Sequence, residues 1–255
     1  MKVVILAGGL GSRLIEKTNI IPKPMVEIGN KPIIWHIMKY FSHYGFNEFI
    51  ICLGYKGEVI KDYFTSYYSN NRDLTVDLGT NNYEVHNQHN ENWKISLIDT
   101  GEETLTGARI AKIKKYTEGN RFFLTYGDGL ADINLNSLLK HHINSGKKCT
   151  VSAVKPEGRF GVIKFLENQI SFSEKNIKDV DWVNGGFFIC EQSIFKYVDE
   201  NDNVMWEKSP MENLANDNEL NAYQHSGFWK PMDTLKDQNT LNNLWFDNKA
   251  KWKKW

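Results

Sequence analysis

A glycine-rich loop directly follows the first apolar segment of the chain. Residues 3–7 are apolar, and residues 8–13 read Gly-Gly-Leu-Gly-Ser-Arg. Glycines let a backbone approach a ligand closely and turn its N–H groups toward it, an arrangement that suits phosphate. A Walker A loop needs Gly-Lys-Ser/Thr, and a dinucleotide fingerprint needs a third glycine where Leu14 stands, so the loop matches neither. It predicts a phosphate site of another kind, with Arg13 as its own cation.

A lysine between two prolines supplies a second candidate cation. Pro22 and Pro24 flank Lys23, and proline on both sides favours an extended, fixed backbone. On its own, this segment favours an ordinary solvated lysine in a proline-rich turn. Together with Arg13, ten positions earlier, Lys23 forms a cationic pair that suits a polyphosphate.

Two aspartates stand in turns that could lie close to these cations. Asp128 follows an apolar segment in LTYGDG, and Asp233 precedes the last predicted helix in FWKPMDT. Either could simply form a turn or cap a helix. A carboxylate beside bound phosphates generally needs a metal, however, and Mg²⁺ prefers one or two carboxylates plus phosphate oxygens. The pair is therefore a candidate magnesium site.

The elements that must position these residues alternate between strands and helices. This alternation is typical of an α/β fold with a doubly wound, mostly parallel (Rossmann-like) sheet. Strands are predicted at residues 3–7, 48–54, 93–100 and 121–129, and helices at residues 31–45, 57–68 and 106–116. Ligands bind beyond the carboxyl ends of the strands in such sheets, so the glycine loop and Asp128 are expected at one edge.

After residue 150 the pattern becomes richer in strands. Strands are predicted at residues 149–154, 161–165, 169–174 and 182–190, with little helix before a last helix at Leu235–Phe246. We expect a smaller β-rich region appended to the first half, within one domain over residues 1–255. The Asn-rich residues 79–93 are expected to form an exposed excursion, either mobile or used against a partner subunit.

Composition excludes several classes of partner. Lys plus Arg number 31 and Asp plus Glu number 31. The formal charge is therefore balanced, and the composition shows no excess of positive charge that would attract nucleic acid or an anionic membrane. The odd count and spacing of Cys52, Cys149 and Cys190 favour buried, reduced thiols over disulfides or a zinc site. No apolar stretch has the length of a signal peptide core or a membrane span, so we expect a soluble cytoplasmic protein, as a homo-oligomer.

Five short motifs together carry a resemblance to a known family. The segments LAGGLGSRL, PKPM, YGDG, FSEK and NGGFF resemble those of the sugar-phosphate nucleotidyltransferases, and the similarity extends over nearly the whole chain. The combination of DTG…TGAR with FWKPMDT is similar to the cytidylyl-transferring branch. The resemblance implies Mg²⁺-dependent transfer of CMP from CTP to α-D-glucose 1-phosphate, giving CDP-glucose and pyrophosphate. Such a product would be a precursor of the dideoxysugars in a bacterial surface polysaccharide, such as the O-antigen of lipopolysaccharide.

The resemblance also implies a role for each motif residue. It implies nucleotide binding by Leu6, Ala7, Gly8, Gly9, Leu10, Gly11, Ser12, Arg13, Lys23, Thr104, Arg109 and Asp128. It implies catalysis by Arg13 and Lys23, Mg²⁺ binding by Asp128 and Asp233, and sugar-phosphate binding by Glu174, Lys175, Asn184, Gly185 and Gly186. Residues 1–150 would then be the nucleotide-binding half and residues 151–255 the sugar-phosphate-binding region. Asn176 stands where the family usually has proline, which leaves the backbone beside Lys175 less constrained.

Other functions fit parts of the same pattern. A nucleotidyltransferase that uses another sugar or polyol phosphate, or dTTP or UTP, would need the same motifs. A glycosyltransferase would need an Asp-x-Asp motif, and GDG supplies a single aspartate. A non-catalytic sensor of nucleotide sugars would not need both the cations and the aspartates, and an oxidoreductase would need the dinucleotide fingerprint. Pyrophosphate release separates the enzyme from the sensor.

Overall fold

The computed structural model describes residues 1–11, 14, 18–86, 91–119, 121–156, 162–166, 169–173, 182–201 and 203–255, with residues 162–166 and 169–173 as backbone. In chain order the strands are β1 (Lys2–Leu6), β2 (Glu27–Ile28), β3 (Lys31–Pro32), β4 (Glu48–Leu53), β5 (Leu74–Asp77), β6 (Asn82–Val85), β7 (Lys94–Asp99), β8 (Phe122–Tyr126), β9 (Gly129–Ala131), β10 (Cys149–Val154), β11 (Val162–Leu166), β12 (Gln169–Ser173), β13 (Val183–Cys190), β14 (Leu220–His225) and β15 (Trp229–Pro231). The α-helices are α1 (Ile33–His43), α2 (Gly57–Thr65), α3 (Tyr67–Asn70), α4 (Thr106–Lys112), α5 (Leu135–Ser145), α6 (Ser209–Asn216) and α7 (Leu235–Phe246).

A seven-stranded sheet runs through both halves of the chain. Its strand order is β14-β10-β13-β8-β1-β4-β7. Strand β13 is antiparallel to both of its neighbours, and the other neighbouring pairs are parallel. The predicted mostly parallel α/β sheet is therefore confirmed. The antiparallel hairpin of β11 and β12 is an additional small sheet in the β-rich second half.

Both faces of the sheet are buried, as a doubly wound fold requires. Val3 and Ile5 belong to one apolar cluster, and Val4 and Leu6 belong to another, because successive side chains of a strand point to opposite faces. Helix α1 packs on the first face, and α4 and α6 contribute to the second. Burying one branched apolar side chain stabilises the fold by about 1.5–3 kcal/mol, so a strand buried on both faces is strongly held.

A short ladder brings the two candidate metal ligands to the same place. Strands β9 and β15 pair antiparallel, with Gly129 opposite Pro231. The N–H of Met232 extends the contact by donating to the carbonyl oxygen of Asp128 at 2.9 Å. Asp128 and Asp233 flank this ladder, so residues more than 100 positions apart meet at the carboxyl end of β8.

Several predicted helices differ in extent from the observed ones. The helix predicted over residues 57–68 is interrupted at Ser66, and the one predicted over residues 106–116 ends at Lys112 before a 3₁₀ turn, Lys114–Tyr116. The expectation of little helix after residue 150 overlooked α6. That helix has eight residues and buries only Pro210 and Leu214, so its apolar periodicity is weak.

The Asn-rich region begins as a surface hairpin. Strands β5 and β6 pair antiparallel, and Leu74, Val76 and Tyr83 on them are exposed. Residues 87–90 of the expected excursion lie outside the described part of the chain. All three cysteines are buried, and burial raises the pKa of Cys52 to about 12, which disfavours the reactive thiolate. Within the described ranges, no helix combines the length and apolar character that crossing a membrane requires.

Candidate active site

The glycine loop lies where the carboxyl ends of three parallel strands meet. The N–H of Ala7 donates to the carbonyl oxygen of Cys52 at 3.0 Å, and the N–H of Gly127 donates to that of Leu6 at 3.0 Å. The N–H of Tyr55 donates to the carbonyl oxygen of Gly8 at 3.1 Å. The loop that follows β1 is thus tied to the ends of β4 and β8. This confirms the shared edge predicted for the loop and Asp128.

The Arg109 guanidinium lies beneath this loop and is almost fully buried. Its Nη2 donates to the Gly8 carbonyl oxygen at 2.9 Å, and its Nη1 donates to the Leu53 carbonyl oxygen at 2.9 Å. Further donors reach the Thr100 hydroxyl and the carbonyl oxygens of Gly101 and Glu102. Burial is the main cause that lowers the pKa of Arg109. Arg109 therefore holds together the segments at the carboxyl ends of β1, β4 and β7. The motif did not predict this structural role.

A first cleft opens over the glycine loop. Its lining residues are Leu6, Ala7, Gly8, Gly9, Gly11, Lys23, Pro24, Thr104, Leu105, Thr106, Arg109, Tyr126, Gly127, Asp128 and Met205. Most of the residues predicted to bind nucleotide thus surround one space. Leu10 is not among the lining residues and is 60% exposed. Ser12 and Arg13 lie outside the described residues.

A second cleft continues from the first toward β13 and β15. Its lining residues are Gly11, Lys23, Thr125, Tyr126, Asp128, Gly129, Asn184, Gly185, Gly186, Phe187, Met205, Trp229, Pro231 and Asp233. Asn184, Gly185 and Gly186 were predicted from the sequence to form a sugar-phosphate site, and they line this second space. The other two predicted residues of that site, Glu174 and Lys175, lie outside the described residues. The two clefts join at five shared residues: Gly11, Lys23, Tyr126, Asp128 and Met205.

The junction of the two clefts is strongly charged. Lys23 Nζ lies 2.5 Å from Asp128 Oδ2 and 2.7 Å from Asp233 Oδ1. Burial alone would lower the pKa of Lys23, but the charges and hydrogen bonds of the two carboxylates outweigh it and raise the pKa above its ordinary value. Lys23 is the first residue of a 3₁₀ helix, Lys23–Met25, so the extended backbone predicted for this segment is found at Pro22 instead.

The donor set at this junction fits a magnesium ion. Asp128 and Asp233 direct carboxylate oxygens at one common position, where the Lys23 ammonium lies. A cation is therefore stabilised at this point, and Mg²⁺ takes one or two protein carboxylates with further oxygens from substrate phosphates or water. No group of three or more His, Cys, Asp or Glu that could hold a metal occurs in the described part of the chain. The junction thus offers a two-carboxylate site rather than a closed protein cage.

Sequence reasoning missed several residues that line the clefts. Met205 is 39% exposed and borders both spaces, in a segment without a recognisable motif. Three hydrogen bonds tie this segment to the start of α4: Leu105 N to Asn203 Oδ1 at 2.6 Å, Gly107 N to Val204 O at 3.0 Å and Trp206 N to Thr106 Oγ1 at 2.8 Å. Because these partners are about 100 positions apart, local sequence carries no signal for them. Tyr126 was overlooked although it stands inside the YGDG motif.

Known proteins resemble this chain in sequence and in fold. The glucose-1-phosphate cytidylyltransferases of Salmonella typhimurium and Salmonella typhi are each 48% identical to this chain over 257 residues, with 100% of both chains covered. A structure of UDP-glucose pyrophosphorylase complexed with UDP-glucose superposes with a TM-score of 0.71 at 18% identity, covering 97% of this chain and 98% of the other. That likeness shows the fold.

The family model named nucleotidyl transferase matches residues 2–247. This match spans the glycine loop, both clefts and the charged junction between them. The chain therefore belongs to the nucleotidyl transferase family.

Proposed function

We propose that this protein transfers CMP from CTP to α-D-glucose 1-phosphate, forming CDP-glucose and pyrophosphate. The observation that carries the proposal is the junction of two clefts at Lys23, Asp128 and Asp233, which would bring two phosphorylated substrates together at one charged centre. The choice of CTP and glucose 1-phosphate is supported by the full-length relatives named for that activity.

The first cleft would hold the nucleoside triphosphate. Residues 6–9 and Gly11 line it, and N–H groups of a glycine-rich turn bind phosphate oxygens well. Thr104 also lines this cleft. Ser12 and Arg13 are proposed to contact the triphosphate from the part of the loop that follows Gly11. Residues 1–150 provide all lining residues of this cleft except Met205, which supports their assignment as the nucleotide-binding half.

The second cleft would hold the sugar phosphate. Asn184, Gly185 and Gly186 line it from β13, and Trp229 lines it from β15. Glu174 would accept hydrogen bonds from sugar hydroxyls, and Lys175 would hold the attacking phosphate. Much of this lining comes from residues 151–255, which supports the assignment of that region to the sugar phosphate.

Asp128 and Asp233 would hold Mg²⁺ at the junction. When bound, the ion supplies a Lewis acid and a template that orients the two phosphates. Both carboxylates are partly exposed toward the clefts, at 28% and 22% of their side-chain surface, so they are accessible to an ion that arrives with the nucleotide.

The charged side chains of the chain meet the remaining needs of the reaction. A phosphate oxygen of the sugar phosphate attacks the α-phosphorus of CTP, and pyrophosphate leaves with the electron pair of the broken bond. The nucleophile is already an anion, so no general base is required. Alignment and relief of charge repulsion are required instead. Lys23 would neutralise charge near the transferred phosphorus, and Arg13 would do so on the departing pyrophosphate.

Pyrophosphate release tests this proposal. The protein is incubated with glucose 1-phosphate and Mg²⁺, and CTP, UTP, dTTP, ATP and GTP are offered one at a time. Release dominated by CTP and abolished by a chelator is the expected result. Release dominated by another nucleotide would keep the reaction class and refute the assignment to CTP. No release with any nucleotide would refute glucose 1-phosphate as the acceptor.

We also propose that the protein is a homo-oligomer. The exposed apolar side chains of the β5–β6 hairpin support this, because an isolated two-stranded hairpin is marginally stable in water. Sedimentation velocity tests it. A monomeric sedimentation coefficient at micromolar concentration would contradict this part of the proposal.

A further inference from the structure

A chain of hydrogen bonds connects residues that line the two clefts. The Tyr126 hydroxyl donates to Glu207 Oε1 and accepts from Asn184 Nδ2 at 3.2 Å. The other carboxylate oxygen of Glu207 accepts from the Thr106 hydroxyl at 2.9 Å. Asn184 lines the second cleft, Thr106 lines the first, and Tyr126 lines both. One continuous network therefore connects the two candidate substrate sites.

The ionised carboxylate fixes the direction of every bond in this network. A carboxylate only accepts, so the hydroxyls of both Tyr126 and Thr106 must donate to Glu207. The Tyr126 oxygen then has lone pairs for the Asn184 amide N–H. Burial and the nearby charge of Glu207 raise the pKa of Tyr126 above its ordinary value, so the phenol keeps the proton that it donates.

At the sugar-phosphate end, Tyr126 fixes both a side chain and the backbone. Asn184 Oδ1 accepts from the Gly186 N–H at 2.8 Å, so the orientation of the amide and that of the strand depend on each other. Gly186 has a φ of +78°, and a Cβ placed there would lie 2.7 Å from Tyr126 Cδ2. The aromatic ring thus packs directly on this glycine. On the neighbouring residue, Trp229 Nε1 donates to the Gly185 carbonyl oxygen at 2.7 Å.

At the nucleotide end, the network holds the start of α4. Thr106 is the first residue of this helix, and its hydroxyl oxygen also accepts from the Trp206 N–H at 2.8 Å. Glu207 therefore connects its own segment, residues 203–207, to α4 through Thr106 and to β8 through Tyr126. Neither the glycine loop nor the charged junction uses Glu207, so this carboxylate has no place in the chemistry proposed above.

We propose that Tyr126 and Glu207 are positioning residues that hold the Asn184 amide and the 184–186 backbone ready for the sugar phosphate. The inference rests on the proposed function, since it assigns the second cleft to that substrate. A tyrosine that served only to stabilise the fold would affect both substrates alike. A positioning role through Asn184 affects the sugar phosphate selectively, because the bond between Glu207 and Thr106 survives the loss of the Tyr126 hydroxyl.

The test compares steady-state constants of Tyr126→Phe with those of the unaltered protein. The variant keeps the ring that packs on Gly186 and removes only the hydroxyl. We expect the KM for glucose 1-phosphate to rise about tenfold, as the loss of one net hydrogen bond predicts, with the KM for CTP changed less than about twofold. Tyr197→Phe is the matched control, because the Tyr197 hydroxyl donates to the Asp217 carboxylate at 2.6 Å, away from both clefts. It should change neither constant.

A second pair of variants keeps the inference testable if Tyr126→Phe folds poorly. Glu207→Gln retains an oxygen acceptor for Tyr126, and the Thr106 hydroxyl can rotate to accept from the new amide. We expect a KM for glucose 1-phosphate within about threefold of the original in Glu207→Gln, and a rise at least as large as that of Tyr126→Phe in Glu207→Ala.

The outcomes separate the inference from the proposed function. No pyrophosphate release by the unaltered protein with CTP and glucose 1-phosphate would refute the proposed function and the inference together. An active unaltered protein whose Tyr126→Phe variant keeps both KM values, or raises both equally, would overturn the inference and leave the function standing.

Discussion

The Lys23 ammonium lies between two carboxylates, at the position where a divalent ion bound to both would have to be. Its distances of 2.5 Å to Asp128 and 2.7 Å to Asp233 leave no room for a metal ion in between. Because the carboxylates raise the pKa of Lys23, it stays charged at neutral pH and competes with any such ion. Metal binding must therefore displace Lys23, which would free its ammonium to contact the phosphates.

Removal of this ammonium should strengthen metal binding in the absence of nucleotide. We expect Lys23→Met to bind Mn²⁺ at least about tenfold more tightly than the unaltered protein, since a competing positive charge is lost. Turnover should fall about a hundredfold or more, because the same charge is needed at the transferred phosphorus. Titration followed by the electron paramagnetic resonance signal of free Mn²⁺ measures the affinity.

A surface lysine provides the control for that titration. Lys249 also pairs with an aspartate, Asp247 at 3.1 Å, but both side chains are largely exposed. Lys249→Met should leave Mn²⁺ affinity unchanged. Unchanged or weaker Mn²⁺ binding by Lys23→Met would contradict the competition between ammonium and metal.

Single residues were predictable where a motif carried them. The types of Lys23, Asp128 and Asp233 and their places in turns predict a shared site, and these side chains meet within hydrogen-bond distance. The resemblance implies a nucleotide contact for Arg109, which lines the first cleft, but it gives no hint that the guanidinium also donates to carbonyl oxygens at the ends of three strands. Sequence could not show this, because the bond to Gly8 joins residues 101 positions apart.

Substitution of two glycines of the loop should have different effects, one on stability and the other on CTP binding. Gly11 has a φ of +62°, and a Cβ there would lie 2.8 Å from Thr18 Cγ2. A Cβ on Gly9 would meet nothing within 4 Å. We expect Gly11→Ala to lower the free energy of unfolding by about 1–2 kcal/mol, the usual cost of a left-handed conformation for a residue with a Cβ. Gly9→Ala should leave stability unchanged and raise the KM for CTP, because Gly9 lines the first cleft.

Urea denaturation and initial rates on the two variants check this expectation. Equal stability losses at both positions would show that the loop does not have the conformation described. An unchanged KM for CTP in Gly9→Ala would argue against nucleotide binding over this loop.

Elements were predictable where local signals marked their ends. Helix α7 has the predicted bounds, because Thr234 and Asp237 form a reciprocal capping box at its start. Helix α5 was missed although Asn134 caps it and Gly146 ends it with a φ of +63°. The short β9–β15 ladder could not be predicted, since it depends on pairing between segments 100 positions apart. Yet this ladder is what places the two aspartates together.

A buried histidine links the N-terminal part of the molecule to its C-terminal end. His36 is fully buried in α1, and its Nε2 lies 2.9 Å from the Ile28 carbonyl oxygen, so this nitrogen must donate. Its Nδ1 then accepts from Trp252 Nε1 at 3.4 Å. Burial lowers the pKa of His36 from 6.5 to about 4, because a dry site disfavours the charged imidazolium.

This depressed pKa predicts how the stability of the whole molecule depends on pH. In the unfolded chain His36 takes up a proton near pH 6.5, whereas in the folded protein it does so only near pH 4. The contribution of His36 to the free energy of unfolding is therefore fully present above pH 6.5, and it decreases as the pH falls from 6.5 to 4. The loss attributable to His36 is roughly 3 kcal/mol. His142, whose pKa is also lowered mainly by burial, contributes in the same direction.

Urea denaturation at several pH values across this window measures the effect. We expect His36→Gln to show a shallower dependence of unfolding free energy on pH than the unaltered protein. His43→Gln, at an exposed position of the same helix, should keep the original dependence. An equally steep dependence in His36→Gln would show that His36 is not the titrating group.

For the molecule as a whole, the alternation of apolar strands and helical patterns was enough to predict the mostly parallel sheet. The shared site at its carboxyl edge followed from the topology of such sheets. What the alternation could not show is that β13 runs antiparallel between β8 and β10, which places Asn184 beside Tyr126. That arrangement depends on long-range strand order rather than on local sequence.

In the proposed reaction, a phosphate oxygen of glucose 1-phosphate becomes bonded to the α-phosphorus of CTP at the Lys23–Asp128–Asp233 junction. The most direct test uses glucose 1-phosphate whose non-bridging phosphate oxygens carry oxygen-18, with ³¹P NMR of the products. We expect all of the label to stay in the phosphate next to glucose, including the new bridge to CMP, and we expect unlabelled pyrophosphate. Label released as free phosphate would show that the bond between sugar and phosphate breaks, and it would contradict nucleotidyl transfer.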